Sequence, residues 1–255
     1  MINRLRLHKE TRSLARRAIP DELWALTLAR LPFVGRLPDV DLLALRRLAS
    51  LFLDKKEFSG GGGLVVTDEM AVCIAVQACL PVLRFGLKPY EGFVGIVVHP
   101  DEVVARRSHT DDDGVVHEYD EVLAGEAMDG GPIMLSWRDV AEAGFSADWG
   151  YNVVIHEFAH VLDMGDGAAD GIPALPDAKA RAAWQDVMQP EFERHRQAVD
   201  SDVATLLDPY GAISISEFFA VASECFFVTP HEMRAEHPAL YWMLARYFKQ
   251  DPSGA

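Results

Sequence analysis

Only three cysteines occur in the 255-residue chain, Cys73, Cys79 and Cys225. A set that is sparse, odd in number and without a CxxC pair is not a disulfide framework. It fits a reducing compartment, with each thiol buried in an apolar run rather than acting as nucleophile or ligand. Long hydrophobic runs are missing as well. The longest, Ala71 to Leu83, is broken by Gln77 and Pro81 and falls short of the roughly 20 residues that span a bilayer. Positive charge is also scarce, with 24 Lys and Arg against 39 Asp and Glu and a formal net charge of −15. Such a field repels phosphates, which argues against nucleic acid and against an anionic membrane as partner. The one basic stretch, Met1 to Pro20, has no apolar segment behind it and carries Glu10. It is therefore not read as a secretory signal, and the expected location is cytoplasmic.

What remains is ordinary globular composition, 49% hydrophobic and 25% charged, in a chain long enough to hold its core without staples. Residues 1–58 read as a helical region, with one short helix around Leu23 to Leu31 and another opening at Pro38-Asp39. Gly60 to Gly63 reads as a surface break; no Gly-Lys-Ser/Thr follows, so it is not a phosphate loop. Residues 59–255 form the second expected region. Thr67 is a plausible N-cap for a helix to about Cys79. Phe93 to His99 and Pro132 to Trp137 read as strands. Ser108 to Glu121, with Asp111-Asp112-Asp113-Gly114 inside it, reads as a turn or hairpin tip. Helices are expected over Asn152 to Asp163, Ala178 to Val199, Ser214 to Phe227 and from Pro230 through Lys249. The expected class is helix-rich α+β with a small sheet.

One segment carries chemistry. Val153 to Asp163 reads VVIHEFAHVLD and contains an HExxH motif. Positions i and i+4 share a helix face about 6 Å apart, so His156 and His160 can reach one tetrahedral zinc. Glu157 is rotated about 100° away and borders the metal, where it can accept a proton from water. Apolar neighbours surround all three, and buried polar groups without partners are costly. A third ligand must come from elsewhere, because Asp163-Met164-Gly165 stands where a third histidine would follow. Glu217 is the best candidate. Glu224, seven residues on, lies on the same helical face, so one acid can bind metal while the other orients a ligand histidine; Asp163 is a further candidate for that orienting role. Tyr210, in the turn Asp208-Pro209-Tyr210-Gly211, can reach over a metal and donate to an oxyanion.

HEFAHVLDM followed by DPYG and SEFFAVASECFF resembles the Mlc titration factor A family of bacterial metallopeptidases, and more distantly the catalytic domain of anthrax lethal factor. The resemblance implies a zincin-like fold, with a small mixed sheet packed on the HExxH helix. It implies Zn²⁺ held by His156, His160 and Glu217, with Glu157 as general base and Tyr210 as the active-site tyrosine, and it selects Glu217 over Glu224 as ligand. It further implies a cytoplasmic zinc peptidase of aminopeptidase type acting on small peptide substrates. Family members also bind the repressor Mlc and so influence sugar uptake, so a transcriptional repressor of that type is an expected second partner. The competing expectation is a regulatory binding module on the same fold, with catalysis secondary. The strand at Pro132 to Trp137 is expected to line the cleft and offer an edge to an extended peptide.

Overall fold

The computed structural model describes residues 2–110, 116–128, 130–144 and 150–254, with side chains left undescribed at 2–9, 105–110 and 116–122. Four helices come first: α1 (Ile2–Arg17), α2 (Asp21–Arg30), α3 (Pro32–Gly35) and α4 (Asp39–Lys55). Strand β1 (Glu57–Gly60), helix α5 (Asp68–Cys79) and strand β2 (Gly95–His99) follow. Thr67 caps α5 as its sequence suggests, its side chain accepting from Met70 N at 3.3 Å. Strands β3 (Val103–Thr110) and β4 (Val116–Leu123) pair antiparallel; the acidic stretch Asp111-Asp112-Asp113-Gly114, expected at a turn or hairpin tip, lies outside the described residues. Then come β5 (Gly125–Ala127), β6 (Ile133–Ser136), α6 (Trp137–Glu142) and the HExxH helix α7 (Val153–Asp163). The chain closes with α8 (Ala178–Asp200), α9 (Ile215–Val228), α10 (Pro230–Glu236) and α11 (Pro238–Phe248).

The main sheet has the order β1-β2-β6-β5. The first three strands are parallel, and β5 runs antiparallel to β6, with Gly125 opposite Leu135 and Ala127 opposite Ile133. Two expectations change here. Glu57 to Gly60, expected to end a helical region and enter a loop, is a strand, because its backbone pairs with Gly95 to Val98. The strand at Ile133 to Ser136 is not the edge, because β2 and β5 occupy both its sides. The edge strands are β1 and β5; the one packed on the motif helix is β5, a three-residue strand whose composition carries no strand signal. The C-terminal helical stretch is two helices, α10 and α11, broken at His237 where Pro238 begins the second.

Helix α7 packs on β5 and β6 and is buried almost all round. On its inner face Phe158 meets Phe52, Tyr90 and Phe93, with ring centroids 5.7, 4.9 and 5.9 Å away. These aromatic contacts, each worth about 0.5–1.5 kcal/mol beyond burial, tie α4 to the helix that bears the motif. All three cysteines are buried, and burial pushes the Cys73 thiol up to about 11, as expected of packing thiols.

Lys56 is buried beneath this cluster, its ammonium donating to the carbonyls of Tyr90 and Phe93 and lying 3.5 Å from the Phe93 ring centroid. Burial lowers its pKa from 10.5 to about 8. A cation penalised in the folded state adds stability as it loses its proton, so this group's contribution rises as pH climbs from about 8 toward 10.5. Lys56→Met leaves both carbonyls without their donor. It is expected to cost about 1–3 kcal/mol in urea unfolding at pH 7, and to flatten that rise at alkaline pH.

Candidate active site

Helix α7 begins at Asn152, whose side chain accepts from Ile155 N at 2.9 Å and donates to Gln77 at 2.7 Å. That cap sets the rotation of the first turn and so the direction of His156. Helix α9 begins at Ser214, which accepts from Glu217 N at 3.1 Å and places Glu217 in the first turn. The two helices pack against each other, and the histidines of one meet the glutamate of the other.

His156 Nε2 lies 3.0 Å from Glu217 Oε2, His160 Nε2 lies 3.3 Å from the same oxygen, and the two Nε2 atoms are 3.2 Å apart. A tetrahedral ion with bonds of about 2.0–2.1 Å needs donor atoms about 3.3 Å apart. The triangle has that size. It is also the one His/Cys/Asp/Glu group of this kind among the described residues.

The far sides of both rings are occupied. His156 Nδ1 is 2.7 Å from Glu224 Oε1. His160 Nδ1 is 3.2 Å from Ser216 Oγ, and that hydroxyl donates to Asp163 Oδ2 at 2.6 Å. With Nδ1–H donating outward on both rings, each Nε2 is left to face the triangle, where it holds a proton toward Glu217 when no cation is present and would present its lone pair to one. Two such lone pairs and a carboxylate oxygen are the donor chemistry of a divalent cation. The orienting candidates are thus both engaged, Glu224 directly and Asp163 through Ser216. The serine was not among the sequence candidates; its place beside Glu217 was the only available clue. Glu224 also accepts from the backbone N–H of Asn152, so one carboxylate fixes both the ring and the start of its helix.

Charge is concentrated here. Burial alone favours neutral His156, but Glu217, Glu224 and Glu157 surround it and raise its pKa well above the ordinary range. Burial raises Glu217, yet hydrogen bonds from His156 and His160 outweigh it and hold that carboxyl at about 2. Three carboxylates facing two imidazoles leave a negative surplus that a divalent cation neutralises. Glu157 is 5% exposed, stands outside the triangle, and is pushed up to about 7 by burial. A carboxylate with that pKa exchanges protons readily near neutral pH.

A cavity of about 300 Å³ adjoins this centre, with His156, Glu157, Gly125 and Tyr210 in its wall. Tyr210 follows the Asp208 cap, is 43% exposed, and has its ring centroid 6.0 Å from that of His156. All five sequence candidates, His156, Glu157, His160, Tyr210 and Glu217, are therefore together.

Gly125 is a further site residue without a sequence signal. A Cβ there would stand 2.5 Å from Glu157 Oε1, so only a glycine lets β5 lie this close to the acid. Gly125→Ala is expected to displace Glu157 and reduce turnover about 10²-fold, with bound metal unchanged by elemental analysis. Undiminished turnover would mean that Glu157 tolerates the shift.

A family model described as glucose-regulated metallo-peptidase M90 matches residues 5–249. The chain belongs to this family. Among its relatives is an uncharacterized protein of Synechocystis sp., 37% identical over 242 residues, which is 94% of this chain and 88% of that one. Mlc titration factor A of Serratia proteamaculans is 35% identical over 232 residues, 90% and 87% of the two chains. The protein of the same name from Salmonella arizonae is 34% identical over 236 residues, 91% and 92%. M90 membership makes the chain a metallopeptidase by family, and the His156, His160 and Glu217 group is where its residues could hold the metal. No helix among the described residues is long and apolar enough to cross a membrane.

Proposed function

We propose that this M90 metallopeptidase is a zinc-dependent peptidase of aminopeptidase type on a zincin-like fold, acting on small peptides in the cytoplasm. The observation that carries it is the triangle of His156 Nε2, His160 Nε2 and Glu217 Oε2, 3.0–3.3 Å on a side, with both Nδ1 atoms held from behind. Nitrogen and carboxylate donors at tetrahedral spacing suit zinc, and three protein ligands leave a fourth position for chemistry.

Zinc bound there would act as a Lewis acid and make a water acidic near neutral pH. The residues supply the rest. Glu157, in the cavity wall beside His156, accepts a proton from the attacking water and returns it to the leaving amine. Tyr210 directs its hydroxyl at the oxygen on which negative charge develops. Glu224 and the Ser216–Asp163 pair keep the ligand rings in one tautomer. Gly125 admits the β5 edge next to Glu157, where an extended substrate can pair.

The test is hydrolysis of aminoacyl p-nitroanilides and of their N-acetylated forms, before and after chelator treatment and zinc return. Turnover of the free-amine substrates only, lost with chelator and restored by zinc, is the expected result. Turnover that survives complete metal removal would overturn the zinc reading, and equal turnover of acetylated substrates would overturn the aminopeptidase one.

The relatives named Mlc titration factor A support a second reading, in which the chain also binds a repressor of that type. A catalytically silent variant separates the two, because repressor binding then persists without hydrolysis.

A further inference from the structure

Beyond the Met128 end of β5 lies a groove that the reaction does not use. Its first part, about 790 Å³, opens between the turn after β5, the end of α7 and the loop before β2. Its second part, about 570 Å³, lies along α8 and α11. The two share Phe85, Ala174, Tyr247 and Lys249 and so run into one another. The walls are largely apolar, with Phe93, Ile133, Leu162 and Trp184 among them.

Among the described residues, charge on the groove has one sign; Asp129, between Met128 and Gly130 of the wall, lies outside them. Arg84, Lys88, Arg246 and Lys249 line it, and no acid does among the described residues, in a chain where acids outnumber bases 39 to 24. Arg84 is already paired with Asp41 at 2.7 Å. Lys88 has no ion-pair partner among the described residues. Lys249 is the more telling position. It ends α11 with φ +55°, a left-handed conformation that glycine fills most easily. A lysine there places its ammonium 5.4 Å from the Phe85 ring centroid, at the junction of the two parts. A non-glycine residue held in this conformation at a cavity is a pointer to function.

The groove and the cavity at the reaction centre share no lining residue, but β5 runs from one to the other. That strand starts at Gly125, packed on Glu157, and ends next to Met128 in the groove wall. Three residues of strand span about 10 Å, so a peptide paired to the free edge of β5 reaches the groove three to five residues from the bond being cut. We propose that the groove binds this distal part of a peptide substrate, seating apolar side chains on its floor and a carboxylate at Lys88 and Lys249. The proposal rests on the peptidase reading above. The carboxylate can come from an acidic side chain or from the peptide's own C-terminus.

The test uses the zinc-loaded full chain carrying Glu157→Gln, with fluorescein-labelled eight-residue peptides followed by anisotropy at low salt. Three peptides share an apolar sequence: one has an internal Glu and an amidated end, one a free C-terminus and no acid, and one an internal Lys and an amidated end. Binding of the first or second at least about 10-fold tighter than the third is expected, weakening with salt; which of the two leads identifies the source of the carboxylate. Adding Lys88→Glu with Lys249→Glu should reverse the preference. Lys249→Gly should keep the melting temperature, since glycine suits that backbone, yet weaken binding of the acidic peptide about threefold or more.

Equal binding of the Glu and Lys peptides, or indifference to the double charge reversal, would overturn the proposal. So would displacement of the peptide by octanoate at similar concentration, which would reassign the groove to a free amphipathic anion. Turnover of aminoacyl p-nitroanilides, which are too short to enter the groove, is measured in parallel on chains with Glu157 intact. If that turnover is absent while charge-dependent peptide binding persists, the peptidase reading fails and the groove stands. If turnover is normal and binding ignores charge, the reverse holds.

Discussion

Glu157→Gln is expected to lower turnover of aminoacyl substrates about 10³-fold or more while leaving close to one metal per chain. Glutamine has the shape of glutamate but cannot accept a proton, and loss of a positioned general base costs about 10²–10⁴-fold. Glu157 serves both transfers in the proposed reaction, which puts the expectation toward the upper part of that range. The metal should stay because Glu157 is not a corner of the donor triangle, which is built from His156, His160 and Glu217. The fold should also stay. Burial raises the Glu157 pKa to about 7, so exchanging the acid for a neutral amide removes a charge that the site holds at a cost. Full turnover with Gln at this position would exclude Glu157 as base, and metal loss in the variant would make it a ligand.

The second large effect is expected at Glu217. Elemental analysis of Glu217→Ala beside the unaltered protein should show zinc falling from about one per chain to a small fraction, with turnover lost. Removing a residue that merely orients a ligand costs about 10–100-fold in metal affinity, and removing a direct donor should exceed that. A calorimetric readout is independent of activity. Metal bound at 100 times its dissociation constant stabilises the fold by about 2.7 kcal/mol, so chelator should lower the melting temperature of the unaltered protein and leave that of Glu217→Ala unchanged. Equal zinc in both proteins would move the third donor elsewhere. Glu224 is poorly placed to replace it, because its carboxylate is engaged behind His156, at Nδ1 and at the Asn152 backbone.

The HExxH pair was legible because a helix makes i and i+4 neighbours, whatever lies around it. Glu217 and Glu224 were legible as inward-facing acids, seven residues apart in an apolar helix. Which of them met which histidine nitrogen was not, because that depends on the rotation of α9 against α7, and the contacts join residues 57–68 positions apart. Ser216 gave no signal by itself, since a serine in the first turn of a helix is ordinary. It matters only because Asp163 and His160 come to either side of it.

The sheet divides in the same way. The Val- and Ile-rich run at β2 and the run at β6 announced themselves, since buried parallel strands are continuous apolar stretches. Strand β1 is Glu-Phe-Ser-Gly and β5 is Gly-Glu-Ala, and neither has a period or composition that favours extension. Both are strands because a neighbour offers unpaired backbone groups, and burial makes those groups find partners. Edge status is likewise a property of the sheet and not of any one strand, so an edge was expected at β6 when the edge strand against the motif helix is β5.

The sequence by itself determined the helical scaffold, the buried cysteines and the motif helix with His156, Glu157 and His160, because each rests on local spacing or on composition, while the choice of Glu217 over Glu224 and the role of Tyr210 came from the family resemblance. Tertiary packing decided the size of the donor triangle, the partners behind each ring, the closeness of Gly125 to Glu157 and the gathering of Lys88, Arg246 and Lys249 along the groove past β5. Those are distances between segments far apart along the chain, and side-chain periodicity within a segment carries no information about them.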